Sequence, residues 1–296
     1  MDILIAGANG FIGSYLTDFL TQERHHVTTL TRSPLNREHA LQWDGKTLKT
    51  DKNFDVIINL CGQNVAAKRW SEKVKRELLE SRVIPTNALV SFIKNAPSDK
   101  KPKLLNASAI GFYPSSTSVQ TEENYATTHN LFSKRLVMQL ESSARNATEY
   151  GATVTCMRFG VVLGKTGGML AKVLPSFKLG LGAVMGDRNA YLSWIHIEDL
   201  CRAIAFIIAS CTLKPAYNFT SPTPTSQLNF AETLAAACKR PRFLRLPSFF
   251  IKKIFGQMGE ELLLANQKII PERLIEAGFE FKFKNISSAI NDILKR

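Results

Sequence analysis

The chain opens on an unbroken apolar run, residues 3–6, bounded by Asp2 and Gly7. Four apolar residues in succession, closed by a glycine, predict a strand buried on both faces. From Phe11 the pattern changes. Phe11, Ile12, Tyr15, Leu16, Phe19 and Leu20 recur at helical spacing and predict an amphipathic helix. Strand-like runs return at 26–30, 56–60, 103–108 and 153–159, with helical periods between them at 71–94 and 132–150. Pro85 is expected to kink or divide the first of these helices. Strand and helix in alternation predict an α/β fold, a Rossmann-type doubly wound parallel sheet.

The pattern loosens after residue 160. Glycines crowd 160–186, which predicts mobile loops over a site. Short strand-like returns at 192–195 and 217–220 rejoin the sheet region. Helical periods at 230–239, 247–258 and 271–277 predict a smaller, mostly C-terminal lobe, and 285–294 a closing helix. The expected division is a dinucleotide-binding domain of 1–165 and 190–225, with a substrate-binding lobe of 166–189 and 226–296 interleaved in sequence.

The strand, glycine turn and helix start carry the first chemistry. Gly7, Gly10 and Gly13 stand three apart, in the segment Gly7, Asn9, Gly10, Phe11, Ile12, Gly13. Gly7 permits the tight turn, Gly10 lets backbone approach a pyrophosphate, and Gly13 lets the helix pack on the strand. The partial positive charge of the helix start then faces the anion. A nicotinamide dinucleotide with a free ribose 2′-hydroxyl would want an acidic residue after the second strand. Thr31, Arg32 and Ser33 stand there instead. Arg32 can clamp a 2′-phosphate, which favours NADP(H) over NAD(H); the plainer reading is a solvated surface arginine.

Size and composition bound the rest. At 296 residues with 45% hydrophobic content, the chain can bury a large core. Its five cysteines are scattered and form no Cys-x-x-Cys pair. That pattern predicts reduced thiols in a cytoplasmic protein and no metal site. The chain begins on a strand, so no leader is expected, and no apolar run reaches the ~18 residues that span a bilayer. The net charge of +13 suits anionic partners. The basic residues are spread out and no nucleic-acid motif appears. The densest basic stretch, 239–253, interleaves Phe243, Leu244, Phe249 and Phe250. It can be read as a membrane-touching segment or, more plainly, as the edge of the substrate lobe; stable membrane insertion is not expected.

The Gly-x-x-Gly-x-x-Gly spacing resembles the short-chain dehydrogenase/reductase superfamily in its extended, epimerase-like branch. Further segments carry the likeness along nearly the whole chain: Asn59-Leu60-Cys61-Gly62, Ser108-Ala109-Ile110-Gly111, Arg158-Phe159-Gly160 and Ser193-Trp194-Ile195-His196. With Arg69-Trp70, Ser81-Arg82, Gly167-Gly168 and the stretch from Pro271 to Gly278-Phe279, they resemble a divergent subgroup described as sugar-nucleotide epimerase or cell-division-inhibitor-like. The resemblance places Leu60, Cys61, Gly62, Arg82, Ser108, Arg158 and Gly160 along a cofactor. It implies an NADP(H)-dependent oxidoreductase or epimerase acting on a small carbonyl or nucleotide-linked substrate. It also implies a homodimer formed through the helices at 71–94 and 132–150.

The family's proton relay is a Tyr-x-x-x-Lys pair, whose lysine lowers the tyrosine pKa. Here Lys134 is preceded four residues earlier by Asn130, and Tyr125 lies nine residues before it. Arg82 also replaces an asparagine usual in extended members. The residues left to rebuild the relay are Ser108, Tyr113, Lys134 and His196, with Lys165 as a further anion holder. Each has a bland alternative: packing for Tyr113, a strand-end cap for Ser108, a backbone bond for His196. Gly160 to Gly164 with Lys165-Thr166 falls one residue short of a phosphate loop, which excludes an ATPase of that class. The competing function is an NADP(H)-binding redox sensor or regulator with little catalysis.

Overall fold

A computed structural model describes residues 1–32, 39–97, 101–125, 130–241 and 244–295. The apolar opening forms β1 (Asp2–Ala6), followed by the helix α1 (Phe11–Gln22) and β2 (His26–Thr31). A short strand that the pattern does not reveal, β3 (Ala40–Gln42), precedes β4 (Val56–Asn59), α2 (Glu72–Asn95) and β5 (Lys103–Ala109). The chain leaves the sheet as β6 (Ser116–Gln120), then returns through α3 (Phe132–Arg145) into β7 (Val154–Phe159). Beyond it come β8 (Val161–Leu163), α4 (Gly168–Lys178), β9 (Ala183–Met185), β10 (Tyr191–Leu192), β11 (Trp194–His196), α5 (Ile197–Ala209) and β12 (Ala216–Phe219).

Seven strands make one parallel sheet in the order β12-β7-β5-β4-β1-β2-β3. The order reverses at β1, so a crevice opens at the carboxyl ends of β1 and β4. The two-residue period of β1 explains why the sheet is covered twice. Ile3 and Ile5 face Leu16 and Leu20 of α1 and Leu200, Ile204 and Ile207 of α5. Leu4 and Ala6 face the other way, toward Leu89 and Ile93 of α2 and Ala144 of α3.

The helix α2 runs on through Pro85 as one element, so the expected division does not occur. Pro85 is buried on the same face as Leu78, Leu89, Val90 and Ile93. Proline inside a helix costs ~3 kcal/mol, and burying several large apolar side chains at ~1.5–3 kcal/mol each outweighs it. The segment 160–186 is not the loop region its glycines predict: it forms β8, α4 and β9. Three of its glycines lie against one aromatic ring. Added Cβ atoms at Gly164, Gly167 and Gly168 would meet Phe11 at 2.7, 2.4 and 3.2 Å.

The remaining elements build the second lobe: β13 (Thr225–Ser226), α6 (Gln227–Ala237), β14 (Leu244–Leu246), α7 (Ser248–Met258), β15 (Gln267–Ile269), α8 (Glu272–Glu276) and α9 (Ile286–Lys295). Its core joins Leu170 and Phe177 of α4, Trp194, Phe230 and Leu234 of α6, and Ile286 and Ile290 of α9. Four two-stranded pairings stitch it to the rest: β8 with β11, β9 with β14, β10 with β13 and β6 with β15. A smaller cluster of Trp70, Leu78, Phe132, Leu136 and Met258 packs the end of α7 against α2 and α3.

Candidate functional site

Five polypeptide segments converge at the carboxyl ends of β1, β2, β4, β5 and β7. The glycine turn is the centre. Gly7 takes φ +83°, and a Cβ there would strike the Leu60 carbonyl carbon at 2.7 Å. Gly13 is buried beneath the turn, where a Cβ would come within 2.2 Å of the Gly7 carbonyl oxygen. Gly10 differs from both. Its backbone is ordinary extended chain (φ −77°, ψ 170°), and an added Cβ would meet only the Gly7 oxygen, at 3.3 Å. Gly10 is also the N-cap of α1 and brings no side-chain cap to the first helical amides. The geometry leaves a backbone cradle, with the helix start aimed into it. Ile12 and Phe11 are half-buried in the first turn, and Phe11 packs edge-to-face on Tyr15 at 5.8 Å.

One flank of the cradle is basic. Asn9 Nδ2 donates to Thr31 Oγ1 at 3.4 Å, which ties the turn to the end of β2. Arg32 follows, exposed, on the side of Cys61. Burial pushes the Cys61 thiol up to about 12, and the Arg32 charge opposes that shift. Ser33 lies outside the described residues. After β4, the chain is braced by Arg82: its guanidinium donates to the Gln63 carbonyl at 2.7 Å and the Leu78 carbonyl at 2.8 Å. Burial pulls this guanidinium down to about 10. Gly62 is small because Arg82 lies against it, 2.9 Å from where its Cβ would stand. Asn59 Nδ2 donates to Thr86 Oγ1 and Asn106 Oδ1 at 2.8 and 2.7 Å, beneath the same loop.

The parallel register sets Ser108 beside Arg158, and Arg158 beside Asn218. Three polar residues on adjacent strands therefore form one row, and α3 drops Glu141 onto it. The Glu141 carboxylate is 1% exposed. It accepts from Ser108 Oγ at 2.8 Å, Arg158 Nε at 2.8 Å, Arg158 Nη2 at 3.0 Å and Arg145 Nη2 at 2.8 Å. Arg158 Nη1 donates to the Tyr113 hydroxyl at 3.0 Å, which donates to Asn218 Oδ1 at 2.7 Å. The guanidinium also lies 3.5 Å from the centre of the Phe112 ring. Burial pushes the Tyr113 hydroxyl up to about 12. Glu122 joins from below, accepting the Asn218 N–H at 2.7 Å.

This network redefines two residues expected to move protons. Ser108 and Tyr113 are buried, and each hydroxyl is spent on internal partners, so neither presents an oxygen to a substrate. They position the floor of the site. Arg158 belongs to that floor too, and Gly160 turns the chain off it. Gly160 N–H donates to Phe219, and a Cβ there would meet the Ser193 carbonyl at 2.9 Å. His196 also lies elsewhere than expected. Its Nδ1 accepts the Glu198 N–H at 3.1 Å as the N-cap of α5, its Nε2 lies 3.4 Å from Asp292 of α9, and its ring stacks on Phe283 at 3.9 Å. It is 1% exposed and ties α9 to the β11–α5 junction.

Lys134 is the last of the residues expected to handle protons. It lies half-buried in the first turn of α3, which packs its Ser133 against Gly111 after β5. The N-terminus of α3 is closed by a residue the sequence does not flag. Glu261, from the lobe, accepts the Phe132 and Ser133 N–H groups at 3.2 and 2.8 Å. Its partners stand more than a hundred residues away in the chain. Glu141, by contrast, had a signal: a charge inside the apolar stripe of Leu136, Val137, Leu140 and Ala144.

Comparison with known proteins sets this geometry in a family. The profile of the NAD dependent epimerase/dehydratase family matches residues 3–219, and a domain of unknown function, DUF1731, matches 246–293. An epimerase family protein of Mycobacterium bovis is 37% identical over 293 residues, covering 97% of this chain and 96% of that protein. The human epimerase family protein SDR39U1 (isoform 2), solved with NADPH, is 31% identical with a TM-score of 0.91, over 100% of this chain and 99% of that one. The dTDP-glucose 4,6-dehydratase of Bacillus anthracis, solved with NAD, is 17% identical (TM-score 0.73, covering 100% and 96%) and shares the fold alone.

Proposed function

The chain belongs to the NAD dependent epimerase/dehydratase family, and from that premise we propose that it binds NADPH at the glycine turn and acts on a carbonyl or nucleotide-linked substrate. The observation that carries this reading is the open backbone cradle at Gly10, uncapped at the start of α1, with Arg32 rather than an acid at the end of β2. The residues present fit the group. Gly7, Gly10 and Gly13 would hold the pyrophosphate, and Arg32 with Thr31 the 2′-phosphate. Leu60, Cys61 and Gly62, braced by Arg82, would line the adenosine side. When bound, the cofactor supplies or accepts a hydride.

The chain's own residues do the rest. The Ser108–Glu141–Arg158–Tyr113 network holds the floor rigid, because each member is fixed by at least one buried partner. Of the four residues expected to handle protons, Ser108, Tyr113 and His196 are buried and Lys134 alone is half-exposed. We assign the proton at the substrate oxygen to the Lys134 ammonium. The likeness to the NADPH-bound human protein supports the cofactor. A regulatory reading has its own observation, Asn130 where the family carries tyrosine. Burial pushes the Cys61, Cys156 and Cys201 thiols up to about 12, which disfavours these three as thiol sensors.

Calorimetric titration tests the cofactor. NADPH should bind ~10- to over 100-fold more tightly than NADH, from a charge-assisted contact of ~1.5–3 kcal/mol. Arg32→Asp should abolish that preference, and equal affinities in the wild type would overturn the assignment. NADPH oxidation against a panel of carbonyls and nucleotide sugars then separates enzyme from regulator. Binding without turnover on any member favours the regulator.

A further inference from the structure

One surface is used by neither the fold nor that function. The helix α7 turns Ile251 and Met258 inward and leaves Phe249, Phe250 and Ile254 outward, with Lys253 among them. Phe249 and Ile254 are each 60% exposed, and the Phe249 and Phe250 rings lie 4.1 Å apart. The strand β14 leads into this helix and adds Leu244 and Leu246, both exposed. It pairs with β9, so the loop before β9 lies alongside and contributes Leu179 (74% exposed) and Leu181. Arg240 fastens that loop by donating to the Lys178 carbonyl at 3.0 Å. The apolar tips of α7, β14 and this loop thus stand exposed as a rim on the C-terminal lobe. Monomeric proteins rarely leave such patches uncovered without a use.

The charge around the rim says what covers it. Residues 233–259 contain no Asp or Glu, while Lys239, Arg240, Arg242, Arg245, Lys252 and Lys253 fall within them. The facing segment 166–186 likewise has Lys172 and Lys178 and no acid. Carboxylates stand only at the edges of these segments: Glu232, Asp187, next to the Gly186 that bonds Leu246 of β14, and Glu260, which pairs with Lys252 at 2.6 Å. Exposed aromatics interleaved with cations match an anionic bilayer, which takes apolar tips below its headgroups and cations at its surface. A second copy of this chain would set the same cations against each other, and an acidic protein would leave the phenylalanines in a polar contact. No helix among the described residues is long and apolar enough to cross a membrane, so contact at this face would be interfacial. We propose that β14, α7 and the 178–181 loop form a peripheral docking surface for anionic phospholipid membranes.

The test is co-sedimentation of the full chain with vesicles of phosphatidylglycerol and phosphatidylcholine, against phosphatidylcholine alone. The wild type should bind the anionic vesicles only, and release as salt shortens the screening length. Phe249→Ser with Phe250→Ser should weaken binding at least ~10-fold, from the loss of two buried rings. Lys253→Glu should weaken it at least ~5-fold. These side chains are exposed, so melting temperatures should match the wild type and confirm folded variants. A Phe249→Trp variant should bind normally, with a blue-shifted emission on anionic vesicles. Binding to neither vesicle, or wild-type binding by the double serine variant, overturns the proposal. So does a wild-type dimer that the serine variant converts to monomer while vesicles go unbound, because the face then pairs copies of the chain.

Discussion

Substitution at Gly10 and at Gly13 should separate the cofactor cradle from the fold that supports it. The two glycines stand one turn apart, yet they meet different surroundings. A Cβ on Gly13 would lie 2.2 Å from the Gly7 carbonyl oxygen and 2.7 Å from the Ala8 Cα. Both are backbone atoms of the turn and cannot rotate aside. Overpacking of this kind costs ~1–3 kcal/mol or more. Scaled by ~2–4 °C per kcal/mol for a domain of this size, Gly13→Ala should lower the melting temperature by ~2–12 °C. A Cβ on Gly10 meets one atom at 3.3 Å, and its backbone angles suit any L-residue. Gly10→Val exchanges a tolerated N-cap for a poor one, at ~1 kcal/mol. It should melt within ~4 °C of the wild type. Its branched side chain nevertheless fills the approach of the pyrophosphate, and NADPH affinity should fall at least ~100-fold, ~2.7 kcal/mol. Differential scanning fluorimetry gives the first quantity and calorimetry the second. A folded Gly10→Val protein that binds NADPH as the wild type does would refute the cradle. A Gly13→Ala protein as stable as the wild type would refute the packing argument beneath it.

Three further outcomes follow from the floor of the site. Glu141→Ala leaves the Arg158 guanidinium, 5% exposed, without its carboxylate; chemical denaturation should show a loss of ~3–5 kcal/mol. Replacing both partners, Glu141→Leu with Arg158→Met, should recover part of that loss, and no recovery would argue against an unpaired charge as its cause. Burial raises the Glu122 carboxyl above its ordinary value. Its folded-state pKa exceeds the unfolded one, so its contribution to stability is complete below ~pH 4 and is lost as pH rises from there through the folded-state pKa. Glu122→Gln should flatten this fall in melting temperature between acid and neutral pH, and an unchanged slope would exclude Glu122. Lys134→Met should cut turnover ~10²- to 10⁴-fold with NADPH affinity kept; undiminished turnover on an identified substrate would remove Lys134 from the chemistry.

Much of the architecture was legible because its signals are local. A run of four apolar residues closed by a glycine has the length of a short buried strand rather than a helix, and the helical period from Phe11 follows at once. The roles of Gly7 and Gly13 rest on steric limits within a few residues of chain. The pattern misled where a distant partner supplied the reason. Glycines 164, 167 and 168 read as loop residues until Phe11, over 150 positions earlier, is seen lying against them. Pro85 reads as a helix breaker until the core that overrides it is assembled. The four proton-handling candidates show the same division. Periodicity put Lys134 at a helix start. It did not show that register would line up Ser108, Arg158 and Asn218, or that Glu141 would consume their donors. The sequence by itself determined the main strands and helices of the first half, the glycine turn and the basic end of β2, because these depend on neighbours along the chain. Tertiary structure alone decided which hydroxyls were spent, that His196 caps α5 beside Asp292, and that Glu261 closes α3, because hydrogen bonding and desolvation act between groups that only folding brings together.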